Sequence, residues 1–311
     1  MNDALISIII ATRDREAILW ETIDKAVEAV QGKNAEIIVV NDGEEDLVPA
    51  LAITDKIVWL KNPSRGVSAA RNFGTANANG SILFFIDDDM WINAAAIEWV
   101  AQFMQQEKNT KAVYNLNWEY PSKLNTALRN TKIGRFLLDA EYHRMWGRMK
   151  QTGAEPQQGL YKYDSIASGS LLLHKSLFNV IGRYRQELIF QGEDIELSNR
   201  IRSLNIPIYA VFDVLLHHNQ QDRMEIHGFL KRVEQGYQSE FKAKAAGYLP
   251  RIDQEFTGTK KAAFEIISIT EPLWIFTYHI LPNHSLFNKV NTRMVGLLSG
   301  LQKFKQWKLH K

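Results

Sequence analysis

Hydrophobic residues in the first 118 positions fall into two alternating patterns. Short continuous apolar runs predict buried strands, and these runs are 5–11, 36–40, 56–60, 81–86 and 111–118. Between them, apolar residues recur at helical spacing over 16–31, 68–78 and 93–107. Strands that alternate with helices build a mostly parallel sheet with helices on both faces. The pattern therefore predicts an α/β fold.

The pattern is less regular after residue 118. One long helix is predicted over 124–149. A strand, a short helix, a longer helix and another strand then follow, over 170–174, 176–181, 194–204 and 208–212. After Asn219 the chain is basic and amphipathic, which predicts a C-terminal helical extension.

Polar side chains follow three of the predicted strands, at the point where each strand ends. These clusters are 12–14 (Thr-Arg-Asp), 41–43 (Asn-Asp-Gly) and 87–89 (Asp-Asp-Asp). Because ligands bind at the carboxyl ends of parallel strands, we expect the three clusters to meet at one rim of the sheet.

Composition excludes several classes of protein. Of the 311 residues, 45% are hydrophobic and 23% are charged, a balance typical of a globular chain. There is no cysteine, which excludes disulfides, thiolate metal sites and a cysteine nucleophile. The start of the chain is not typical of a secretory signal, and no stretch reaches the roughly 20 apolar residues of a membrane span. We therefore expect a cytoplasmic protein.

Charge is unevenly distributed along the chain. Residues 223–311 contain 14 Lys and Arg against 7 Asp and Glu, although the net charge of the whole chain is only +2. This asymmetry favours either contact with an anionic surface or a solvated basic face. Trp274, Tyr278 and Trp307 suit a membrane interface. The alternatives for these helices are packing on the catalytic domain and packing on a second subunit, and no nucleic-acid partner is expected.

The acidic run 87–89 offers the oxygen ligands that Mg²⁺ and Mn²⁺ bind, so it predicts a metal that bridges the protein to a diphosphate. The alternative is an acidic helix start stabilised by the helix dipole. His217 and His218 follow a strand-like segment, and each is a candidate metal ligand or an ordinary structural histidine.

Two further groups carry candidate chemistry. Gly66 gives conformational freedom to a loop in which Arg65 and Arg71 offer planar donors to a phosphate or to a base. The alternative is a capped helix with two surface arginines. Glu193 and Asp194 open a predicted helix, either as an acceptor-binding carboxylate beside a general base or as acids that stabilise the helix dipole.

Three motifs are absent from the sequence: G-x-G-x-x-G, G-x-x-x-x-G-K-[ST] and G-x-S-x-G. Their absence argues against a dinucleotide cofactor, a P-loop nucleotide site and a hydrolase nucleophile elbow.

Five segments in series, over about residues 5–220, resemble glycosyltransferase family 2. They are SIIIATRDR, EIIVVNDG, NPSRGVSAARNFG, SILFFIDDDM and SGSLLLHKSLFNVIGRYRQEL with the following GEDIEL. These are inverting enzymes with the GT-A nucleotide-diphospho-sugar transferase fold, so the resemblance implies a Rossmann-like, mostly parallel sheet flanked by helices. The chain departs from the family at Ala11, Asp14 and Asn41, where Pro, Asn and Asp are frequent.

The resemblance also implies a role for each candidate residue. It implies nucleotide-sugar binding by Thr12, Arg13, Asp42, Arg65, Gly66, Arg71, Asp87 and Asp88, metal binding by Asp89, Asp87 and His218, and catalysis by Asp194 as general base with Glu193 orienting the acceptor. The implied reaction moves a sugar, with inversion, from a nucleoside-diphosphate sugar to a hydroxyl of a glycan or lipid-linked acceptor. UDP is the expected nucleotide, and Mn²⁺ or Mg²⁺ is the expected cofactor.

The implied organisation is a catalytic domain over 1–220, with a nucleotide half (1–118) and an acceptor half (119–220), followed by a helical extension over 221–311. A setting in polysaccharide or glycolipid assembly at the inner face of the cell membrane follows by analogy, with oligomers formed through the C-terminal helices. Two other functions stay open. One is an inactive, membrane-tethered glycan- or nucleotide-binding module, and the other is a nucleotidyltransferase, which would need a glycine-rich loop after the first strand.

Overall fold

The computed structural model describes residues 4–47, 56–149, 153–188, 192–221, 225–249 and 256–310. The chain divides into two compact units. The first unit combines Met1–Glu119 with Thr152–Asn219, and the second combines Tyr120–Gln151 with Gln220–Lys311. The functional division into a nucleotide half, an acceptor half and an extension stays a prediction.

The strands of the first unit form one nine-stranded sheet among the described residues. They are β1 (Ile6–Thr12), β2 (Ala35–Asn41), β3 (Ile57–Lys61), β4 (Ile82–Asp87), β5 (Met90–Trp91), β6 (Val113–Glu119), β7 (Leu160–Tyr163), β8 (Ser170–His174) and β9 (Ile208–His218). Their order is β3-β2-β1-β4-β8-β6-β9-β5, and β7 also pairs with β9.

Strand direction follows from the pairings. The pairs β1–β2, β2–β3, β1–β4 and β6–β9 are parallel, whereas β8 lies antiparallel between β4 and β6. Within the described sheet, β1, β2, β3, β4, β6 and β9 therefore run in one direction, and the short strands β5 and β7 oppose β9. The predicted α/β fold with a mostly parallel sheet is confirmed.

The α-helices of the described residues alternate with these strands in the first half of the chain and dominate its end. They are α1 (Glu16–Ala29), α2 (Val67–Asn77), α3 (Ala94–Met104), α4 (Ser122–Arg129), α5 (Lys132–Asp139), α6 (Met145–Arg148), α7 (Lys175–Ile181), α8 (Glu193–Ser203), α9 (Ile226–Ala245), α10 (Gly258–Ile269), α11 (Glu271–Ile280) and α12 (Asn288–Leu309).

The central strands are buried on both faces. Ile8, Ile9 and Ile10 of β1 are all fully buried, and so are Phe84 and Phe85 of β4. Each such side chain contributes about 1.5–3 kcal/mol through burial of apolar surface. The polar residues at the strand ends therefore follow directly on strands that are packed on both sides.

The single helix predicted over 124–149 is wrong, because the structure contains three short helices there. The side chain of Thr131 caps α5 by accepting a hydrogen bond from Gly134 N (2.9 Å). A Cβ at Gly134 would lie 2.2 Å from the Leu128 carbonyl oxygen, so only glycine permits this tight corner. Apolar periodicity does not reveal such a corner, because it continues through the break.

Strand β9 is longer than predicted and runs on to His218. Its pairing with β6 shifts between Leu116 and Asn117, where β9 advances from Val211 to Leu215. Asp213 lies in this irregular stretch, within the strand, and its Oδ1 accepts a hydrogen bond from Gly159 N (2.8 Å). The extension carries His218 to the end of β9.

The helices of the second unit enclose two apolar clusters of their own. One contains Ile133, Ile226, Leu230, Tyr278, Met294, Val295 and Leu298, and the other contains Phe241, Phe256, Leu301, Phe304 and Trp307. Tyr278 and Trp307 are each 6% exposed, so the expectation that they face a membrane interface is wrong. No helix in the described part of the chain has the length and apolar character needed to cross a membrane.

Candidate active site

The polar ends of β1, β2 and β4 meet at one rim of the sheet, as predicted. Thr12 pairs with Asn41 across the first two strands, and Ala11 pairs with Asp87 across β1 and β4. The Asp42 backbone N–H also donates to the Thr12 carbonyl (2.8 Å). The rim therefore gathers candidate residues from three separate segments of the sequence.

Asp42 is held by donors from the loop before α2. Its Oδ1 accepts hydrogen bonds from Asn62 Nδ2 (2.7 Å) and Gly66 N (2.8 Å), and Arg13 Nη1 lies 3.8 Å from its Oδ2. Gly66 has a φ of 118°, a backbone conformation that favours glycine. Arg65 is exposed beside it. The carboxylate is thus held at the rim through Oδ1, which accepts two hydrogen bonds, whereas Oδ2 has only the more distant contact with Arg13.

Asp88 anchors the acidic run to the first strand. Thr12 Oγ1 donates to its Oδ2 (2.8 Å), and Arg15 forms a short ion pair with its Oδ1. Burial is the main reason that the pKa of Asp88 is raised to about 7; the charge of Asp89 acts in the same direction, and Arg15 opposes both. The Asp88 carboxylate therefore lies in the interior, held by Thr12 and Arg15.

Asp87, Asp89 and His218 form a candidate metal centre. One potential ligand atom from each lies within 4.8 Å of the others. His218 Nε2 is 2.9 Å from Asp89 Oδ1, and Arg15 Nη2 donates to Asp89 Oδ2 (2.8 Å). His217, by contrast, pairs through its backbone with Trp91 and does not belong to this group.

This donor set fits a divalent cation. Carboxylates are ligands that both Mn²⁺ and Mg²⁺ prefer, whereas an imidazole suits transition metals and so favours Mn²⁺ of the two. The Asp87 side chain is 40% exposed, so it faces solvent at the rim. A Cβ at Gly169 would lie 2.5 Å from Asp87 Oδ2, which means that glycine keeps room for this carboxylate.

Arg71 connects the acidic run to the start of α8. The residue is 4% exposed, and it donates to Asp87 Oδ1 (2.8 Å) and to Glu193 Oε1 (3.0 Å). Burial opposes its charge, but Tyr184, Asp87 and Glu193 together raise the pKa of Arg71 above its ordinary value. The guanidinium stays charged and fixes both carboxylates.

Asp194 lies at the first turn of α8 and is oriented by a chain of hydroxyl groups. Ser168 donates to its Oδ1 through the backbone N–H (3.1 Å) and through a short hydrogen bond from Oγ. Tyr184 OH in turn donates to Ser168 Oγ (2.7 Å). Burial and then the charge of Glu193 raise the pKa of Asp194 to about 7, against the opposing effects of Arg71 and Ser168. Such a carboxyl group accepts a proton readily near neutral pH.

Glu193 leaves one oxygen for a ligand. Its Oε1 binds Arg71, whereas its buried Oε2 has no hydrogen-bond partner among the described residues. An unpaired buried carboxylate oxygen is costly, and such groups are concentrated at functional sites. The described hydrogen bonds of Glu193 and Asp194 lead to Arg71 and Ser168, which favours a site over the helix-cap interpretation.

Sequence reasoning missed three residues of this site: Arg15, Ser168 and Tyr184. Arg15 closes the segment SIIIATRDR, and Ser168 and Tyr184 lie in the segment SGSLLLHKSLFNVIGRYRQEL. Both segments carry the family resemblance, but that resemblance implied no role for these three residues. Their contacts with Asp88, Asp89 and Asp194 arise only from the fold.

Comparison with known proteins gives the family. The family model for glycosyl transferase family 2 matches residues 7–177, more than half of the chain. An uncharacterized glycosyltransferase of Rickettsia typhi is 24% identical over 278 residues, which cover 85% of this chain and 78% of that protein. Glycosyltransferase GlyA of Streptococcus pneumoniae is 32% identical over 101 residues, but the match covers only 31% of this chain and 14% of that protein's length.

A solved structure extends the likeness to the fold. The mannosyltransferase PcManGT from Pyrobaculum calidifontis, in complex with GDP-Man and Mn²⁺, matches with a TM-score of 0.53 and 12% identity. The match covers 96% of this chain and 86% of that chain. At this identity the likeness shows the fold alone. With the family model matched across the rim residues, the chain belongs to glycosyl transferase family 2, and the activity that goes with this membership is that of a glycosyltransferase.

Proposed function

We propose that this protein is an inverting glycosyltransferase that moves a sugar from a nucleoside-diphosphate sugar to a hydroxyl of a glycan or lipid-linked acceptor. The observation that carries the proposal is the bridge formed by Arg71. This side chain joins Asp87, at the candidate metal centre, to Glu193, next to the candidate base Asp194. One connected site thus places the candidate metal centre, which would stabilise the leaving diphosphate, near the candidate base Asp194, which would deprotonate the attacking hydroxyl.

The donor nucleotide is assigned to the side of Asp42. A carboxylate accepts hydrogen bonds, and the ring N–H of uracil, thymine or guanine supplies a donor, whereas cytosine offers an acceptor at the same ring position. This contact argues against a CDP-sugar. Among the other three, the resemblance to the family favours a UDP-sugar as the donor, with GDP- and dTDP-sugars as the nearest alternatives. Arg13 and the exposed Arg65 lie beside this position and are assigned to the phosphates or the ribose.

Asp87, Asp89 and His218 would hold Mn²⁺ or Mg²⁺. When bound there, the ion neutralises the negative charge that develops on the departing diphosphate. Arg71 orients the Asp87 carboxylate through its hydrogen bond to Oδ1, and Arg15 orients the Asp89 carboxylate through its contact with Oδ2. These contacts fix the donor oxygens before substrate binds, which avoids reorganisation during the reaction.

The acceptor is assigned to the side of Glu193 and Asp194. Glu193 Oε2 accepts a hydrogen bond from the sugar acceptor and orients it. Asp194 takes the proton of the attacking hydroxyl as the new C–O bond forms and the bond to the diphosphate breaks. A single displacement of this kind inverts the anomeric configuration. It needs one base and no protein nucleophile.

Two other functions are less well supported. A nucleotidyltransferase needs a basic glycine-rich loop after β1, and residues 11–20 contain no glycine. An inactive binding module would not need the raised pKa of Asp194 or the paired donors on its Oδ1. A cytoplasmic location, a role in polysaccharide or glycolipid assembly and oligomers formed through the C-terminal helices belong to the same proposal.

A nucleotide panel tests the donor. Thermal unfolding is measured with UDP, GDP, dTDP and CDP, each with Mn²⁺, with Mg²⁺ or with EDTA. We expect UDP with metal to raise the melting temperature most, since a ligand that binds only the folded state stabilises it. CDP is the matched control and is expected to have the smallest effect. A protein that responds to none of the four, with or without metal, would contradict the proposed donor site.

Replacing Ser168 with Ala tests the positioning of the base. The variant removes the hydroxyl hydrogen bond that lowers the pKa of Asp194, so this pKa rises further. We expect the rate of transfer to fall about tenfold at neutral pH and its acidic limb to move to higher pH. Ser170→Ala is the control, because Ser170 Oγ is buried without a partner among the described residues. An unchanged pH profile in Ser168→Ala would contradict the positioning role.

A further inference from the structure

The exposed faces of α10 and α11 are apolar. Ile266, Ile269, Leu273, Phe276 and Ile280 are between 59% and 81% exposed. We call these five residues the exposed apolar stripe. Single exposed apolar residues are common on proteins, but a contiguous group of this size marks a contact surface.

The stripe lies on one face of a nearly continuous helix. Its members are separated by three or four residues, the spacing that places side chains on one side of an α-helix. Helical hydrogen bonding passes through the junction, because Thr270 N donates to Ile266 O (3.1 Å) and Trp274 N donates to Thr270 O (3.2 Å). The five side chains therefore share a direction.

Other apolar side chains of α10 and α11 pack against the core of the second unit. Phe264 and Ile267 of α10 pack against the cluster around Phe304, and Trp274 and Ile275 of α11 pack against the cluster around Leu298. A surface helix normally pairs one apolar face with a polar one. Here a second apolar face remains toward solvent, which the packing of this unit does not explain.

Positive charge surrounds the stripe in the sequence. Residues 256–310 contain seven Lys and Arg against two Glu. Both glutamates are paired, Glu271 with Lys305 (2.5 Å) and Glu265 with Lys308 (2.9 Å). Four further cations are exposed in this segment, and they are Lys260, Lys261, Lys289 and Arg293. The excess charge is therefore positive and accessible.

We propose that the exposed apolar stripe inserts into the interface of an anionic phospholipid bilayer. Apolar side chains with surrounding cations are the composition of helices that lie in a membrane surface. A second copy of the chain is a poorer occupant, for two reasons. A standard protein interface uses about 20–30 residues a side, far more than five. A symmetric contact would also bring the same positive segment of both copies together.

Binding to a bilayer does not depend on the proposed function. Only the link from membrane binding to a lipid-linked acceptor rests on it. Docking on a bilayer brings the enzyme to lipid-linked acceptors, so it favours that class over soluble glycans. Binding to lipid is measurable without any turnover, and nucleotide binding is measurable without any lipid.

The test is co-sedimentation of the full chain with vesicles. Vesicles of phosphatidylglycerol and phosphatidylcholine are compared with vesicles of phosphatidylcholine alone. We expect the wild type to bind the anionic vesicles and the triple variant Ile269→Gln, Leu273→Gln, Phe276→Gln to bind at least about tenfold more weakly. Leu309→Gln is the matched control, because Leu309 is 73% exposed in the same unit but lies outside the stripe.

Each other result overturns the proposal. If the wild type binds both vesicle types equally, binding does not depend on anionic lipid. If the triple variant binds as tightly as the wild type, the stripe is not the surface that contacts the bilayer. If the wild type binds no vesicle but forms dimers in light scattering that the triple variant loses, the occupant is a second copy. The nucleotide-dependent rise in melting temperature is measured on the same samples. If the wild type shows no nucleotide-dependent rise in melting temperature, the proposed function is contradicted. If it shows this rise but binds no vesicles, only the membrane proposal is contradicted.

Discussion

Asp194→Asn is expected to lower the rate of sugar transfer by about 10²- to 10⁴-fold, the contribution of a positioned general base. Asparagine has the shape of aspartate and still accepts a hydrogen bond from Ser168, but it takes no proton from the attacking hydroxyl. Nucleotide binding should be unchanged, since Asp194 lies on the acceptor side of Arg71. The measurement is kcat with saturating donor, together with the nucleotide-dependent rise in melting temperature.

The same residue sets an expected pH dependence. The pKa of Asp194 is raised from 3.8 to about 7, so the base is protonated below this pH and transfer slows as the pH falls. The folded state holds this proton between about pH 4 and 7 more tightly than the unfolded state does, so ionisation of Asp194 costs stability as the pH rises. Asp194→Asn should therefore unfold at the same temperature as the wild type or higher near neutral pH.

A second variant, Glu193→Gln, distinguishes the role of the base Asp194 from that of the neighbouring carboxylate. Burial is the main cause of the raised pKa of Asp194, and Glu193→Gln removes the second cause, the neighbouring negative charge. The acidic limb of the pH profile should therefore move to lower pH while much of kcat is retained. An Asp194→Asn variant that turns over at the normal rate, or a wild type whose rate is flat from about pH 5 to 9, would contradict the assignment.

Asp89→Asn is expected to abolish the metal-dependent part of nucleotide binding and to lower transfer by at least about 10²-fold, because the site loses a charged ligand. Asp89 is 1% exposed and lies between His218 and Arg15. The change keeps its volume, and Arg15 retains its ion pair with Asp88. The measurement is the difference in melting temperature with UDP in Mn²⁺ and in EDTA.

His218→Gln should show the same loss of metal dependence, to a smaller degree, because it removes a neutral ligand of the same cluster. Asp213→Asn is the control, since Asp213 is an exposed acid on β9, the strand that carries His218. Full metal dependence in Asp89→Asn would show that the acidic run does not hold the ion.

The sheet and its rim are predictable from the sequence because burial leaves a simple signal. The runs in β1, β2 and β4 are continuously apolar, and each ends abruptly in polar residues at the carboxyl end of a strand. This pattern alone places Asp42, Asp87 and Asp89 together. The roles of Glu193 and Asp194 rest on resemblance, since local sequence fits a helix start equally well.

Contacts between distant segments are not predictable in the same way. Arg15 contacts Asp88 and Asp89, which are more than 70 residues away in the sequence. Ser168 contacts Asp194, which is 26 residues away. Amphipathic spacing also shows which side chains share a face but not which face is covered. For this reason the sequence pattern assigns Tyr278 to a membrane interface although it is buried, while Ile269 in the preceding helix is exposed.

The reaction proposed for this protein is a single displacement at the anomeric carbon of a nucleoside-diphosphate sugar. Proton NMR of the purified protein with an α-linked UDP-sugar and diamagnetic Mg²⁺ tests it without knowledge of the acceptor, because water slowly replaces the acceptor hydroxyl. We expect release of UDP and first appearance of the β-anomer of the free sugar, both lost in Asp194→Asn. First appearance of the α-anomer, or release of UMP with a sugar phosphate, would contradict it.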